Sequence, residues 1–244
     1  MNINISTDAN ELGISAARMA ADLLRKAIKE NDEARLVLST GSSQFETLNT
    51  LLKEDVEWEK VEIFHLDEYI GLNIKHKASF RKYLTERFIS HITCRRFYEV
   101  NTDIDPERMI ADLTIEIRRK PVDVGIIGIG ENGHIAFNDP PADFDTKDSY
   151  IIVNLDDRCR MQQVGEGWFD RFEEVPEKAV SMSVSQIMQC KTIVSAVPHK
   201  VKAEAVFNTL TDKLSNLVPA TMLKQHKDFN LFLDKNSASK IIPL

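Results

Sequence analysis

Apolar and polar positions follow two alternating periods along this chain. From Asn10 to Asn31 the apolar residues Leu12, Ala16, Met19, Ala20, Leu23 and Ala27 recur three and four apart, which puts them on one stripe of a helix. Residues 34–43, "ARLVLSTGSS", form a short apolar run that ends in turn residues, which predicts a buried strand entering a loop. The two signals then trade places down the chain. "FETLNTLLKE" (45–54), "SFRKYLTERFIS" (79–90), "PERMIADLTIEIRRK" (106–120) and "KVKAEAVFNTL" (200–210) predict helices. "VEIFHLDEY" (61–69), "VDVGIIGIG" (122–130), "KTIVSAV" (191–197) and "FNLFLD" (229–234) predict strands. Such alternation points to an α/β fold, a mostly parallel sheet with helices on both faces. With no repeat and no long Pro/Gly/Ser linker, residues 1–244 read as a single domain. The least regular stretch, about 140–177, is the candidate lid.

Composition narrows the partners more than the fold. At 244 residues and 43% hydrophobic, the chain can bury a sizeable core. A net charge of −7 argues against a nucleic-acid partner, which needs a basic face. Cys94, Cys159 and Cys190 suit neither a disulfide framework nor a cysteine zinc site, so no metal is expected. No apolar run approaches the roughly 20 residues of a membrane span. "MNINISTDANEL" lacks the basic start and apolar core of a signal peptide. A cytoplasmic protein with no membrane partner is the expectation, and a homo-oligomer stays open.

Three polar clusters sit at predicted strand ends, where ligands bind in open α/β sheets. The first is Thr40-Gly41-Ser42-Ser43. It lacks the Walker pattern, yet amides at a helix start plus hydroxyls can hold a phosphate, and Ser42 or Ser43 could equally be a helix cap. Lys200, also at a strand-to-helix passage, opposes the helix dipole unless an anion sits nearby. The second cluster is Asp67-Glu68. Neighbours on an extended segment point to opposite sides, so one acid can face a pocket while the other makes structural bonds. The third is Gly128-x-Gly130-x-x-Gly133. A dinucleotide fingerprint needs a sustained helix after its last glycine, and Pro140-Pro141 forbid one here, so a nicotinamide cofactor is not expected. The turn instead gathers Asn132, His134 and Asp139, a histidine beside an amide and a carboxylate, which suits acid/base work or a self-bonded turn.

Taken in order, "STGSS", "LDEYIGL" and "GIGENGHIAFNDP", followed by "PHKVKAEAV" and "VPATMLKQH", resemble the glucosamine-6-phosphate deaminase/isomerase family over nearly the whole chain. The related 6-phosphogluconolactonases usually carry an arginine after the acid pair and threonine after the histidine. Tyr69 and Ile135 stand there in this chain, as in the deaminase branch. The resemblance implies a three-layer, modified Rossmann-like α/β fold. It also implies opening of a cyclic hexosamine 6-phosphate, proton transfer from C2 to C1, and release of ammonia and a ketose phosphate, with no cofactor. By the same resemblance Asp67 matches the proton-transferring aspartate and His134 the ring-opening histidine. Thr40, Gly41, Ser42, Ser43 and Lys200 match the phosphate contacts. Asn132 stands where aspartate is usual, Asp139 where glutamate is usual, and Gly167 where an arginine usually precedes the aromatic pair, here Trp168-Phe169. These changes leave glucosamine and galactosamine epimers both open, with a lactone hydrolase or a non-catalytic sensor as alternatives. The aromatic pair reads either as the cover of a lid or as core. The ending "KIIPL" follows soon after the last predicted strand, so closure without an allosteric ligand is expected.

Overall fold

A computed structural model describes residues 1–242, so the last two positions of the "KIIPL" ending lie outside the described residues. In chain order the first strands are β1 (Asn2–Ser6), β2 (Ala34–Leu38), β3 (Val61–His65), β4 (Asp67–Tyr69) and β5 (Arg96–Tyr98). They are followed by β6 (Val124–Ile126), β7 (Tyr150–Asn154), β8 (Lys178–Met182), β9 (Thr192–Val197) and β10 (Phe229–Asp234). The helices are α1 (Ala9–Asn31), α2 (Phe45–Leu51), α3 (Phe80–Arg87), α4 (Pro106–Arg118), α5 (Asp157–Gly165), α6 (Val184–Ile187) and α7 (Ala203–Thr211).

Seven strands form one parallel sheet in the order β1-β10-β9-β6-β2-β3-β5. Side chains alternate between its faces, as extended backbone requires. On β2, Ala34, Leu36 and Leu38 enter the core under α1, α2 and α3, while Val37 enters the core shared with α4, α6 and α7. Helices therefore cover both faces, giving the three-layer α/β fold. Of the stripe expected on α1, Leu12, Ala16, Ala20 and Ala27 are in the core, and Met19 and Leu23 pack half-buried at its edge. Small side chains let this helix lie close to the sheet, and a Cβ at Gly13 would meet Glu46 of α2 at 2.5 Å. Buried Arg35 on β2 donates to Glu62 (3.1 Å) and to the carbonyls of Ile117 (3.0 Å) and Glu116 (2.5 Å), satisfying the orphan end of α4.

Two expectations shift. "VEIFHLDEY" is not one strand. It breaks at Leu66, whose carbonyl accepts the Met182 N–H (2.8 Å), and β4 pairs antiparallel with β8, which pairs with β7 in a second sheet. The 140–177 stretch is also more regular than its composition suggests. It contains β7 and α5, anchored by β7–β8 pairing. Burial alternates along β7, with Tyr150 in the core and Ile152 and Asn154 facing solvent.

Chain direction decides where a crevice forms. From β2 the sheet grows through β3 to β5, and from β6 it grows the other way, through β9 and β10. β2 and β6 are neighbours, so their carboxyl ends flank the switch point. Among the described residues no helix is long and apolar enough to cross a membrane.

Candidate active site

A cleft of about 710 Å³ opens at that switch point. Its floor comes from the loops after β2 (Thr40, Gly41, Ser42, Ser43), after β3 (Leu66, Asp67) and after β6 (Gly128 to His134), and its roof from α5 and Trp168. The three polar clusters of the sequence meet here.

The β2 loop turns at Gly41, whose φ of 102° favours glycine. A short 3₁₀ turn, Ser42–Gln44, then leads into α2, and no serine side chain caps either. The Ser42 and Ser43 hydroxyls are thus left at the cleft. Gln44 ties the loop to the sheet through the Ala196 carbonyl (3.1 Å), and Tyr83 donates to the Gly41 carbonyl (2.9 Å).

Asp67 and Glu68 part company as adjacent extended residues must. Glu68 is fully buried away from the cleft. It accepts from Ser79 Oγ (2.8 Å) and from the backbone N–H groups of Tyr69 (2.9 Å), Phe80 (3.2 Å) and Arg81 (2.8 Å), and so caps α3. Asp67 lines the cleft beside Leu66, Phe80 and Phe137. Burial, and then the charges of Glu68 and Asp139, push its carboxyl well above the ordinary range, with only the Phe137 N–H opposing. A carboxylate so placed is a stronger base than aspartate in water.

The glycine turn is closed by Gly130 N–H to the His134 carbonyl (2.9 Å) and Gly133 N–H to the Gly130 carbonyl (3.0 Å). No helix follows Gly133; the chain makes an isolated Ile135–Asn138 bridge instead, as befits the two prolines ahead. Asn132 accepts the His134 backbone N–H (3.0 Å) and donates to Asp139 (3.3 Å). His134 Nδ1 lies 3.1 Å from Asp139 Oδ1, an ion-pair distance. Burial works to raise the Asp139 carboxyl, but His134, Asn132 and the Asp156 N–H (3.3 Å) outweigh it and hold it below the usual range. Asp139 thus stays an anion behind the imidazole.

His134, Asp139 and Cys159 also bring one nitrogen, one oxygen and one sulfur within 4.8 Å of one another. Sequence spacing could not reveal this trio, because Cys159 arrives from α5. Burial and the Asp139 charge keep its thiol well above its ordinary range, so a metal would have to displace a firmly held proton. The residues fit an acid/base dyad better than a metal site.

One residue in the sequence reading is misplaced. Lys200 is exposed and does not line the cleft; Lys202 does, with 6% of its surface exposed. Lys200–Lys202 is a single 3₁₀ turn, in which residues two apart point to different sides. Only one of these lysines can face inward. Burial lowers the Lys202 ammonium, while Glu166 and Glu131 pull it back up. Two arginines of the candidate lid, Arg158 and Arg160, take different places. Arg160 is spent on the carbonyls of Phe172 (3.2 Å) and Val175 (2.9 Å), whereas Arg158 lines the cleft. Phe169 is core, packed against Tyr69 and His76, and Trp168 lines the cleft. Sequence reasoning missed Glu166 and Gln162 on the roof; nothing in a polar helix end marks them.

Comparison with known proteins places this geometry. The family model described as glucosamine-6-phosphate isomerases/6-phosphogluconolactonase matches residues 7–232. A glucosamine-6-phosphate deaminase of Thermoanaerobacter sp. (strain X514) is 33% identical over 253 aligned positions, covering 99% of this chain and 95% of that protein. One from Clostridium novyi (strain NT) is 32% identical, covering 99% and 100%. The solved structure of a monomeric glucosamine-6-phosphate deaminase superposes with a TM-score of 0.90 at 30% identity, over 98% of this chain and 99% of that one. The 6-phosphogluconolactonase of Trypanosoma brucei, at 16% identity, shares the fold with a TM-score of 0.81, over 99% of this chain and 98% of that one. With the match running through every element of the cleft, the chain belongs to the glucosamine-6-phosphate isomerase/6-phosphogluconolactonase family.

Proposed function

We propose that this chain is an amino-sugar-phosphate deaminase/isomerase, with glucosamine 6-phosphate as its first candidate substrate. The observation that carries the reading is a desolvated Asp67 and a carboxylate-backed His134 facing one cleft that also holds a hydroxyl loop and a buried lysine. Relatives of 30–33% identity bearing the deaminase name support the choice of sugar.

In this reading the phosphate sits on Thr40, Gly41, Ser42, Ser43 and Lys202. Lys200 leaves the scheme because it faces solvent. His134 takes the proton of the anomeric hydroxyl and returns one to the ring oxygen, opening the sugar to its aldehyde. Asp139 holds the imidazole and stabilises its charged form, and Asn132 fixes the turn. Asp67 removes the C2 proton; the electron pair moves through C1 to the carbonyl oxygen, which takes a proton from water that is returned when the protonated imine releases ammonia. Asp67 then delivers its proton to C1 as the nitrogen lone pair forms a C2 imine. Water adds to that imine and ammonia leaves, giving the ketose 6-phosphate. The sugar's own carbonyl accepts the electrons, so no redox cofactor enters. Leu66, Phe80 and Phe137 keep the base dry. A phosphate dianion does not cross membranes unaided, which fits work in the cytoplasm.

The deciding experiment offers glucosamine, galactosamine and mannosamine 6-phosphates separately and measures ammonia and ketose. Stoichiometric release from glucosamine 6-phosphate is expected. Hydrolysis of 6-phosphogluconolactone with no ammonia from any hexosamine would replace this reading with the lactonase one.

A further inference from the structure

Helix α5 ends in a tight reversal. Glu166 caps it, its N–H bonded to the Gln162 carbonyl (2.8 Å), and Gly167 follows with a φ of 78°. The chain doubles back, with N–H groups of Gly167 and Trp168 bonded to the carbonyls of Val164 (2.9 Å) and Gln163 (3.0 Å). This reversal turns the Glu166 side chain into the cleft. One carboxylate oxygen accepts from Gln162 Nε2 (2.7 Å); the other accepts from Trp168 Nε1 (3.1 Å) and from Ser42 Oγ (3.4 Å). Lys202, across the cleft, makes no ion pair within 4 Å among the described residues, and Glu166 is the first of the acids whose attraction offsets its burial.

A carboxylate from the roof therefore holds a hydroxyl that the β2 loop would offer an incoming anion. We propose that Glu166 is a resident anion that competes with the substrate's phosphate for Ser42 and Lys202, and so sets the affinity and charge selectivity of that subsite. The inference rests on the reading of residues 40–43 as the phosphate loop. Ser42 has one O–H and can donate it once, to the carboxylate or to the phosphate. The two anions repel across a partly dry cleft, so binding must push Glu166 aside or proceed against it. The roof is built to let it move. Glu166 stands between Gly165 and Gly167, both exposed, and at neither would a Cβ meet any atom within 4 Å. Glu166 thus has a place to go, and a neutral ligand has no reason to send it there.

The test measures inorganic phosphate binding by calorimetry at about pH 8, where phosphate is dianionic, in the wild type, E166Q, E166A and K202M. E166Q keeps the size of the side chain and an acceptor for Trp168 but removes the charge. E166A removes the group altogether, so it shows whether an amide at 166 has taken over the contact. Both variants are expected to tighten phosphate by about tenfold. Their affinity should also fall more steeply with added salt, because the subsite has lost an internal counter-charge. K202M is expected to weaken phosphate in every background. Phosphate binding in E166Q and E166A equal to or weaker than wild type, with K202M still weakening it, overturns the inference and leaves the phosphate loop standing. No phosphate uptake by the wild type, E166Q or E166A overturns the loop assignment and the inference with it.

Discussion

Gly130→Ala adds a single methyl group, yet it is aimed at the ring of His134. A Cβ at position 130 would stand 2.2 Å from both Cε1 and Nε2 of the imidazole and 2.4 Å from Nδ1. Ordinary contact begins near 3.4 Å, so about 1.2 Å must be found. The backbone is the stiffer partner, because both the N–H and the carbonyl of Gly130 are bonded within the turn. The ring moves instead. Its Nδ1 is 3.1 Å from Asp139, and a shift of that size breaks the contact. A misplacement of about 1 Å costs roughly 10²-fold, and a detached acid/base group up to about 10⁴-fold, so kcat/KM on the cyclic sugar phosphate should fall by about 10²–10³. Overpacking costs about 1–3 kcal/mol, which for a chain of this length lowers Tm by only a few degrees. The variant should therefore fold and bind inorganic phosphate as the wild type does. Ammonia release measures the activity, and calorimetry measures phosphate binding. Gly130 is not among the glycines with positive φ, so backbone strain cannot imitate the effect. A Gly130→Ala enzyme within about threefold of wild-type kcat/KM would refute the reasoning, since that is the range of a substitution touching nothing important.

Other outcomes follow from the same geometry. Asp67→Asn should cut kcat by about 10²–10⁴ and abolish exchange of the C2 proton with deuterated solvent; normal exchange would remove Asp67 from its role. The Asp67 carboxyl is raised in the folded protein, so the protonated form is the stable one: its contribution is full below the unfolded value and lost as pH rises through the folded one. Asparagine cannot ionise, so Asp67→Asn should raise Tm at neutral pH and lose that advantage near pH ~4, which a Tm-against-pH series reads directly. In the wild type the acid limb of kcat/KM should lie above the range of an ordinary aspartate, for the same reason. Lys202→Met should raise KM for the sugar phosphate by about tenfold or more while Lys200→Met leaves it alone, a comparison that reverses if the exposed lysine is the one that binds. Activity should survive exhaustive chelation, and loss restored by one added divalent ion would make the His134, Asp139 and Cys159 trio a metal centre.

Much of the fold was legible because the large sheet is buried on both faces, and such strands advertise themselves as unbroken apolar runs. The same property hid the break at Leu66. An apolar residue serves equally well inside a strand or at the handover between two sheets, and Leu66 is 1% exposed in its place between β3 and β4. Strand β1, at the sheet edge with four of its five residues exposed, carries too little apolar pattern to stand out. Of the candidate site, Asp67 and the 40–43 loop follow the ends of β3 and β2, Asn132 and His134 lie in the loop after β6, and that loop folds back to bring Asp139 to them. Lys202, which lines the cleft where Lys200 does not, carries no mark in the sequence, because a one-turn helix gives no periodicity from which to read direction. Glu166 and Cys159 were invisible for a different reason. Glu166 reaches the cleft, and Cys159 the buried side of the His134–Asp139 pair, from α5, a polar helix that packs on the small sheet through Cys159 rather than by a pattern of its own.

That small sheet has a consequence for sugar length. Thr40 to Ser43 and His134 hang from the large sheet, whereas Asp67 begins β4 of the small one. On the proposed reading, the substrate's phosphate end is gripped by one jaw and its C2 is met by the other. The two sheets then work as a caliper. Their spacing is held at the β3–β4 junction, where the Leu66 carbonyl accepts the Met182 N–H of β8 (2.8 Å) and the Tyr150 hydroxyl of β7 donates to the His65 carbonyl at the end of β3 (3.0 Å). An amino sugar phosphate one carbon shorter would leave its C2 about 1.5 Å adrift of Asp67, the length of a carbon–carbon bond. The gauge lies in the framework, where no change confined to the phosphate loop or the catalytic pair can reset it.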